Sequence, residues 1–270
     1  MIKRATQACL VPMFDRMVYT NRRGLAKGLK RRGGFGFIPR KSSREDAFLG
    51  KLDVRGQTIY DIGGFEGLFS MFFARAVGEN GRVITFEPNP INYRKLETNI
   101  ALNRLGNIEL YQVGLGRTET RATLVFPPYQ LWRGSVSQDA QSEVLKEKGA
   151  TAIQISIDSL DNLIATHNLP KPNFVKIDVE GMELEVLLGM RNVLLEHGPA
   201  LFIEIHGFAN PMDVAYAQSV VDFLTAAGYS VYHVESADSL PPLLAPTHRV
   251  GHLYCTTNRL AADRMPTNPG

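Results

Sequence analysis

Cysteine is nearly absent from this chain of 270 residues: only Cys9 and Cys255 occur. Two cysteines in no C-x-x-C spacing exclude a disulfide scaffold and a zinc pattern. They fit a reducing compartment or simple burial. Long apolar runs are missing too, since none reaches the roughly 18–20 residues that a bilayer crossing needs. A clean signal peptide is lacking: the apolar stretch 8–14 is short and interrupted by Pro12. The expectation is a cytoplasmic protein. The chain also lacks a G-x-G-x-x-G fingerprint, which argues against an NAD-dependent oxidoreductase. Tryptophan occurs once, at Trp132.

What is present fits one large globular domain. Hydrophobic residues make up 44% of the chain, enough for a real core. The net charge of +3 hides an asymmetry. Residues 1–55 hold 14 Lys/Arg against 4 Asp/Glu, or +10, so the remainder carries −7. The basic stretch includes Arg22, Arg23, Lys27, Lys30, Arg31, Arg32, Arg40 and Lys41. Such a stretch is either a solvated extension or an attraction for an anionic partner. An anionic membrane surface or a phosphorylated or lipid-linked substrate is favoured. Nucleic acid is disfavoured, because aromatics are not interleaved with the charges as in a single-strand stacking platform. The protein is therefore expected in the cytoplasm, with the inner membrane face as a peripheral docking surface.

The informative stretch is Thr58 to Asn89. A short apolar run ends on Asp61, then a turn carries Gly63, Gly64 and Gly67. Leu68, Phe69, Phe72, Phe73, Ala76 and Val77 follow at helical spacing, and a β-rich run from Val83 to Phe86 ends on Glu87. Strand, glycine turn, helix, strand, acid is the first βαβ unit of a nucleotide-binding α/β fold. The glycines permit positive φ and close backbone approach. Glu87 at a strand tip can accept both hydroxyl hydrogens of a ribose. A carboxylate at Asp61, before the first glycine, would repel a pyrophosphate and suits a cationic or zwitterionic ligand. S-adenosylmethionine, with a sulfonium, an ammonium and a ribose, has that chemistry. The plainer reading of Asp61 is a cap on the turn or on the following helix.

The segments DIGGFEG, FEPNPINYRKLETNIALN, KIDVEGMELEVLLGM and ALFIEIHG together resemble the FkbM family of S-adenosylmethionine-dependent methyltransferases, from about Tyr60 to His206. One departure is visible. The family's first motif usually reads DIGANxG, whereas this chain has Gly64-Phe65-Glu66 and so lacks the usual Asn at the methionine end. The resemblance implies an α/β, Rossmann-like, seven-stranded class I methyltransferase fold. Its sheet would be mostly parallel, its last strand antiparallel, and helices would cover both faces. It implies S-adenosylmethionine contacts from Asp61, Gly63, Gly67, Glu87, Pro88, Gln112 and Asp178. The expected layout is a basic N-terminal extension over 1–42, a methyltransferase domain over 43–258 and a flexible tail over 259–270. Within it, Ser43 starts a helix leading to Leu52, residues 180–195 form one apolar-periodic helix, and Met1 to Tyr19 has loose helical spacing. The irregular stretch 127–135 would line the acceptor pocket.

Asp61, Glu87, Gln112, Asp178 and His206 all fall at or near predicted strand ends, where open α/β sheets bind ligands. For a hydroxyl acceptor, a group must take the proton as the oxygen attacks. Asp178, Glu204 and His206 are the catalytic candidates, with His206 the natural base. A second arrangement uses Asp178, Glu204 and His206 as ligands of Mg or Mn. The plainer reading of Asp178 is a helix N-cap, and of Glu180 a first-turn charge. The Asn-Pro-Pro-Tyr of amino-methylating relatives is absent, which favours an oxygen acceptor on a sugar, glycan or secondary metabolite. The contrasting reading is a non-catalytic scaffold on the same fold.

Overall fold

The computed structural model describes residues 16–33, 43–126, 145–146, 149–205, 211–235, 238–239 and 251–257. Cys9, the stretch 127–135, His206 and the tail 259–270 lie outside the described residues, as does most of the loosely helical 1–19.

The described residues open with a hairpin of β1 (Val18–Thr20) and β2 (Lys30–Arg32), so the end of the stretch read as helical is extended. A short helix, α1 (Arg44–Leu49), follows, closed at its start by a reciprocal Ser43–Asp46 capping box. Then come β3 (Thr58–Ile62), α2 (Leu68–Val77), β4 (Arg82–Phe86), α3 (Pro90–Asn103) and β5 (Ile108–Tyr111). The next elements are β6 (Gly114–Leu115), β7 (Thr120–Phe126), β8 (Thr151–Asp158), α4 (Leu160–His167) and β9 (Phe174–Ile177). The chain continues through α5 (Glu183–Gly189), α6 (Arg191–Glu196), β10 (Ala200–Ile205), α7 (Pro211–Ala226), β11 (Tyr229–His233), β12 (Asp238–Ser239) and β13 (Gly251–Thr257).

The main sheet runs β12-β11-β13-β10-β9-β3-β4-β5. From β10 to β5 every pairing is parallel, while β13 runs antiparallel between β10 and β11. Seven of these strands form the expected mostly parallel sheet with the last strand, β13, antiparallel, and the two-residue β12 extends its edge. A small sheet of β6-β8-β7 stands apart, with Leu124, Phe126, Ile155 and Ile157 as its own apolar cluster.

Alternation along the strands sorts the core into two layers. Leu201, Ile203 and Ile205 join the residues packed under α4 to α7, while Ala200 and Phe202 join those under α1 and α2. Strands covered on both faces read as near-continuous apolar runs. Both β3 and β9 are buried on both faces, each with one charged residue, Asp61 or Lys176, in an otherwise largely apolar run. No described helix is long and apolar enough to cross a membrane.

The helix expected over 180–195 is two helices. It starts at Glu183, because Gly181 sits at φ +81°, outside helical space. Asp178 therefore caps no helix, and Glu180 lies in a loop. The break at Met190 is bridged by Asp161, whose carboxylate accepts from the backbone N–H groups of Asn192 (2.9 Å) and Val193 (3.1 Å). Those donors would belong to a continuous helix; here they form the start of α6.

Candidate active site

The glycine turn after β3 is shaped by what surrounds it. Gly63 has φ +84°, and a Cβ there would lie 1.9 Å from the Asp178 carbonyl oxygen. The turn can thus close onto the end of β9 only without a side chain. Gly67, at φ +87°, sits over Leu96, 2.3 Å from where its Cβ would be. Phe65 also takes a left-handed conformation, φ +47°, although it has a side chain. Its N–H donates to Glu87 Oε2 at 2.8 Å.

Glu87 follows β4 and is 5% exposed. Its Oε1 accepts from the Asn89 N–H at 2.8 Å and lies 3.4 Å from Asn92 Nδ2. Burial pushes its carboxyl up to about 7, against the hydrogen bonds from Asn89, Phe65 and Asn92. Each carboxylate oxygen retains further acceptor capacity.

Glu66, beside Phe65, anchors the same turn from behind. Its carboxylate meets Arg31 Nη2 at 2.6 Å and Lys95 Nζ at 3.2 Å, and Asn99 Nδ2 donates to its carbonyl at 2.8 Å. Asn99 and Asn103 in turn bond the backbone of Arg32 and Lys30. The described part of the basic segment is thereby stitched to α3.

Asp61 is fully buried and does not reach the cavity described below. Ser70 Oγ donates to its Oδ2 at 2.5 Å, and Lys176 Nζ lies 3.9 Å from its Oδ1. The acid before the first glycine thus has its cation within the sheet rather than on a ligand. Burial pushes the Asp61 carboxyl up, against the pull of Lys176 and Ser70. Lys176 is itself fully buried, 2.9 Å from Asp178 Oδ2 and 4.4 Å from the Phe69 ring centroid. Burial alone would lower its pKa, but Asp178 and Asp61 more than offset this and hold it up.

A cavity of about 290 Å³ opens along these strand ends. Its wall near β4 and β5 carries Phe86, Glu87, Pro88, Val113, Gly114 and Leu115. Its wall near β9 and β10 carries Gly63, Asp178, Val179, Glu180, Met182 and Glu204. Leu124, Ile155 and Ile157 of the small sheet line it too, as do Phe65, Asn89 and Asn92 around Glu87. Of the expected residues, Gly63, Glu87, Pro88, Asp178 and Glu204 are brought together. Asp61 and Gly67 lie behind the wall, the one paired with Lys176 and Ser70 and the other packed over Leu96. The Gln112 side chain is exposed, and its neighbours Val113 and Gly114 line the cavity instead. His206 is outside the described residues.

The charged residues that sequence reading missed gather beyond Glu204. His252 Nδ1 lies 2.6 Å from Glu235 Oε1, and its Nε2 lies 3.5 Å from Glu45 Oε1 and 3.6 Å from Glu204 Oε2. Burial alone would lower the imidazole's pKa, but Glu204, Glu235 and Glu45 push it up to about 10. Among the described residues, Glu45, Glu204 and His252 are the group spaced for a metal ion. The expected set of Asp178, Glu204 and His206 includes a residue outside those described. Lys176 could have been suspected, because a lone cation in the run Phe174-Val175-Lys176-Ile177 must be paired. His252 carried no such signal.

This strand order, with a glycine turn after the first core strand and an acid after the second, is that of the class I methyltransferase fold. The chain belongs to the FkbM methyltransferase family: the model described as "Methyltransferase FkbM domain" matches residues 56–231. It is similar to the hexuronic acid methyltransferase AglP of Haloferax volcanii, 34% identical over 132 residues, covering 49% of this chain and 50% of that protein. It is also similar to Methyltransferase 1 of Beauveria bassiana, 25% identical over 144 residues, covering 49% of this chain and 57% of that protein. The chain spans about half the length of these curated relatives. Among solved structures, the FkbM methyltransferase of Methylobacillus flagellatus overlays with a TM-score of 0.47 at 20% identity, over 74% of this chain and 43% of that one.

Proposed function

We propose that the protein is an S-adenosylmethionine-dependent O-methyltransferase acting on a hydroxyl of a sugar, glycan or secondary metabolite. The observation that carries this reading is Glu87. It is a buried carboxylate, held by two backbone N–H groups in the wall of a cavity that Phe86, Pro88, Val113 and Leu115 also line, with Asn89 and Asn92 beside it. That pairing suits a nucleoside, with the carboxylate accepting from the ribose hydroxyls and Phe86, Val113 and Leu115 against the base. S-adenosylmethionine supplies an electrophilic methyl group when bound. This chain's residues then have three tasks. Glu87 fixes the nucleoside end. The walls exclude water and align the acceptor, a contribution of several kcal/mol. Asp178 or Glu204 takes the hydroxyl proton, with His206 the further candidate from sequence. Lys176 holds one oxygen of Asp178 and so sets its orientation.

The hydroxyl acceptor is supported by the missing Asn-Pro-Pro-Tyr and by the name of the Haloferax relative. In the same reading, exposed Arg22, Arg23, Lys27, Lys30 and Arg32 attract an anionic membrane or a lipid-linked acceptor. The experiment is incubation with methyl-labelled S-adenosylmethionine and a panel of hydroxyl and amine acceptors. Label on a glycan or metabolite hydroxyl is expected. Label on amines alone would overturn the oxygen assignment.

A further inference from the structure

We infer that Glu45, Glu204 and His252 form a binding site for one divalent first-row cation, with Glu235 orienting the imidazole. Three separate elements deliver the ligands: α1, β10 and β13. Glu204 and His252 sit opposite each other in the antiparallel β10–β13 register, so the sheet itself places them. The capping box at Ser43 and Asp46 fixes the first turn of α1, which carries Glu45.

The geometry is poor for hydrogen bonding and good for coordination. The oxygens facing His252 Nε2 lie at 3.5 and 3.6 Å, beyond a good hydrogen bond, and one N–H cannot serve both. Glu45 Oε1 and His252 Nε2 are each buried without a hydrogen-bond partner. One atom from each of the three residues lies within 4.8 Å of the others. Ligands at bond lengths of about 2.0–2.2 Å in a tetrahedral or octahedral shell sit roughly 3–3.6 Å apart, so a small side-chain adjustment closes the shell. The other face of the ring is already set: Glu235 holds Nδ1 at 2.6 Å and accepts from the His252 backbone N–H at 2.9 Å. A carboxylate behind a ligating histidine is the usual outer partner of a metal site. Two carboxylates and one imidazole suit Mn²⁺ or a similar ion. Loading would release the Nε2 proton to solvent, leaving the imidazole neutral as a ligand.

Glu204 also belongs to the cavity wall, so the ion would sit at the edge of the cavity. The site rests on its own side chains, and its test needs neither cofactor nor acceptor. The full chain is titrated with Mn²⁺ while the electron paramagnetic resonance signal of the free ion is followed. The expected result is saturable binding of one Mn²⁺ per chain. Affinity should fall at least tenfold in Glu45→Gln and about 10–100-fold in Glu235→Gln, and stay unchanged in Glu79→Gln, at an exposed carboxylate. Unfolding curves without metal confirm that each variant is folded. Absence of saturable binding in the wild type, or equal affinity in Glu45→Gln, would overturn the site and leave the cluster a protonated imidazole shared by carboxylates. Neither result would bear on cofactor binding at Glu87.

Discussion

At the β4 end of the cavity, Glu87 is held by the backbone N–H groups of Phe65 and Asn89. At the β9 to β13 end, Asp178 is held by Lys176, and Glu204 faces His252 across a pair of strands. The first acid is aimed by the path of the chain, the second set by other charged side chains. A backbone-held acid depends on whatever keeps the turn in place. Side-chain charges depend on one another, and removing one strands the rest. The β4 end should therefore tolerate most single substitutions around it, and the other end should not.

The strongest way to break this contrast is Lys176→Met. It leaves Asp61 fully buried without its cation, at a cost of about 3–5 kcal/mol. Urea unfolding should show the loss, and adding Asp61→Asn should recover much of it. A single variant as stable as the wild type would mean that the buried charges are not coupled.

At the β4 end the comparable probe is Arg31→Ala, which acts on the turn through Glu66. Glu66 keeps Lys95 and Asn99, so the expected loss is smaller, about 1–3 kcal/mol. Because the turn carries Phe65, the dissociation constant for S-adenosylmethionine should also rise several-fold. A stability loss with unchanged cofactor affinity would show that the hairpin does not hold the turn.

A finer probe is pH. Burial holds Glu87 near 7, and a proton on it competes with the ribose hydroxyls. Cofactor affinity measured by calorimetry should be about tenfold weaker near pH 6 than near pH 8. Stability of the free protein should move the opposite way. A carboxyl whose folded pKa is raised contributes stability below its ordinary pKa and loses it as pH rises through about 7. Affinity flat across this range would mean that Glu87 does not meet the ribose.

The parts legible from sequence are those in which fold and chemistry share one short stretch. Gly63, Glu87, Pro88 and Asp178 each sit at or just past the end of a recognisable strand, and the mostly parallel sheet follows from the strand–helix alternation. Gly67 and Asp61 were legible as turn residues, but not in their roles. One packs over Leu96 and the other pairs with Lys176, 115 positions away in sequence. The break at Met190 was hidden because apolar periodicity runs through it, while the group that bridges it, Asp161, lies in another helix. The cluster on His252 draws on positions 45, 204 and 235, which no local pattern connects.

The central claim is that Glu87 binds the nucleoside end of S-adenosylmethionine. Its most direct test is calorimetric titration of the wild type and Glu87→Ala with that cofactor. The account predicts micromolar binding that weakens at least tenfold in the variant, since a charge-assisted hydrogen bond is worth about 1.5–3 kcal/mol, while the variant still unfolds cooperatively. Equal affinity in the two proteins would contradict it.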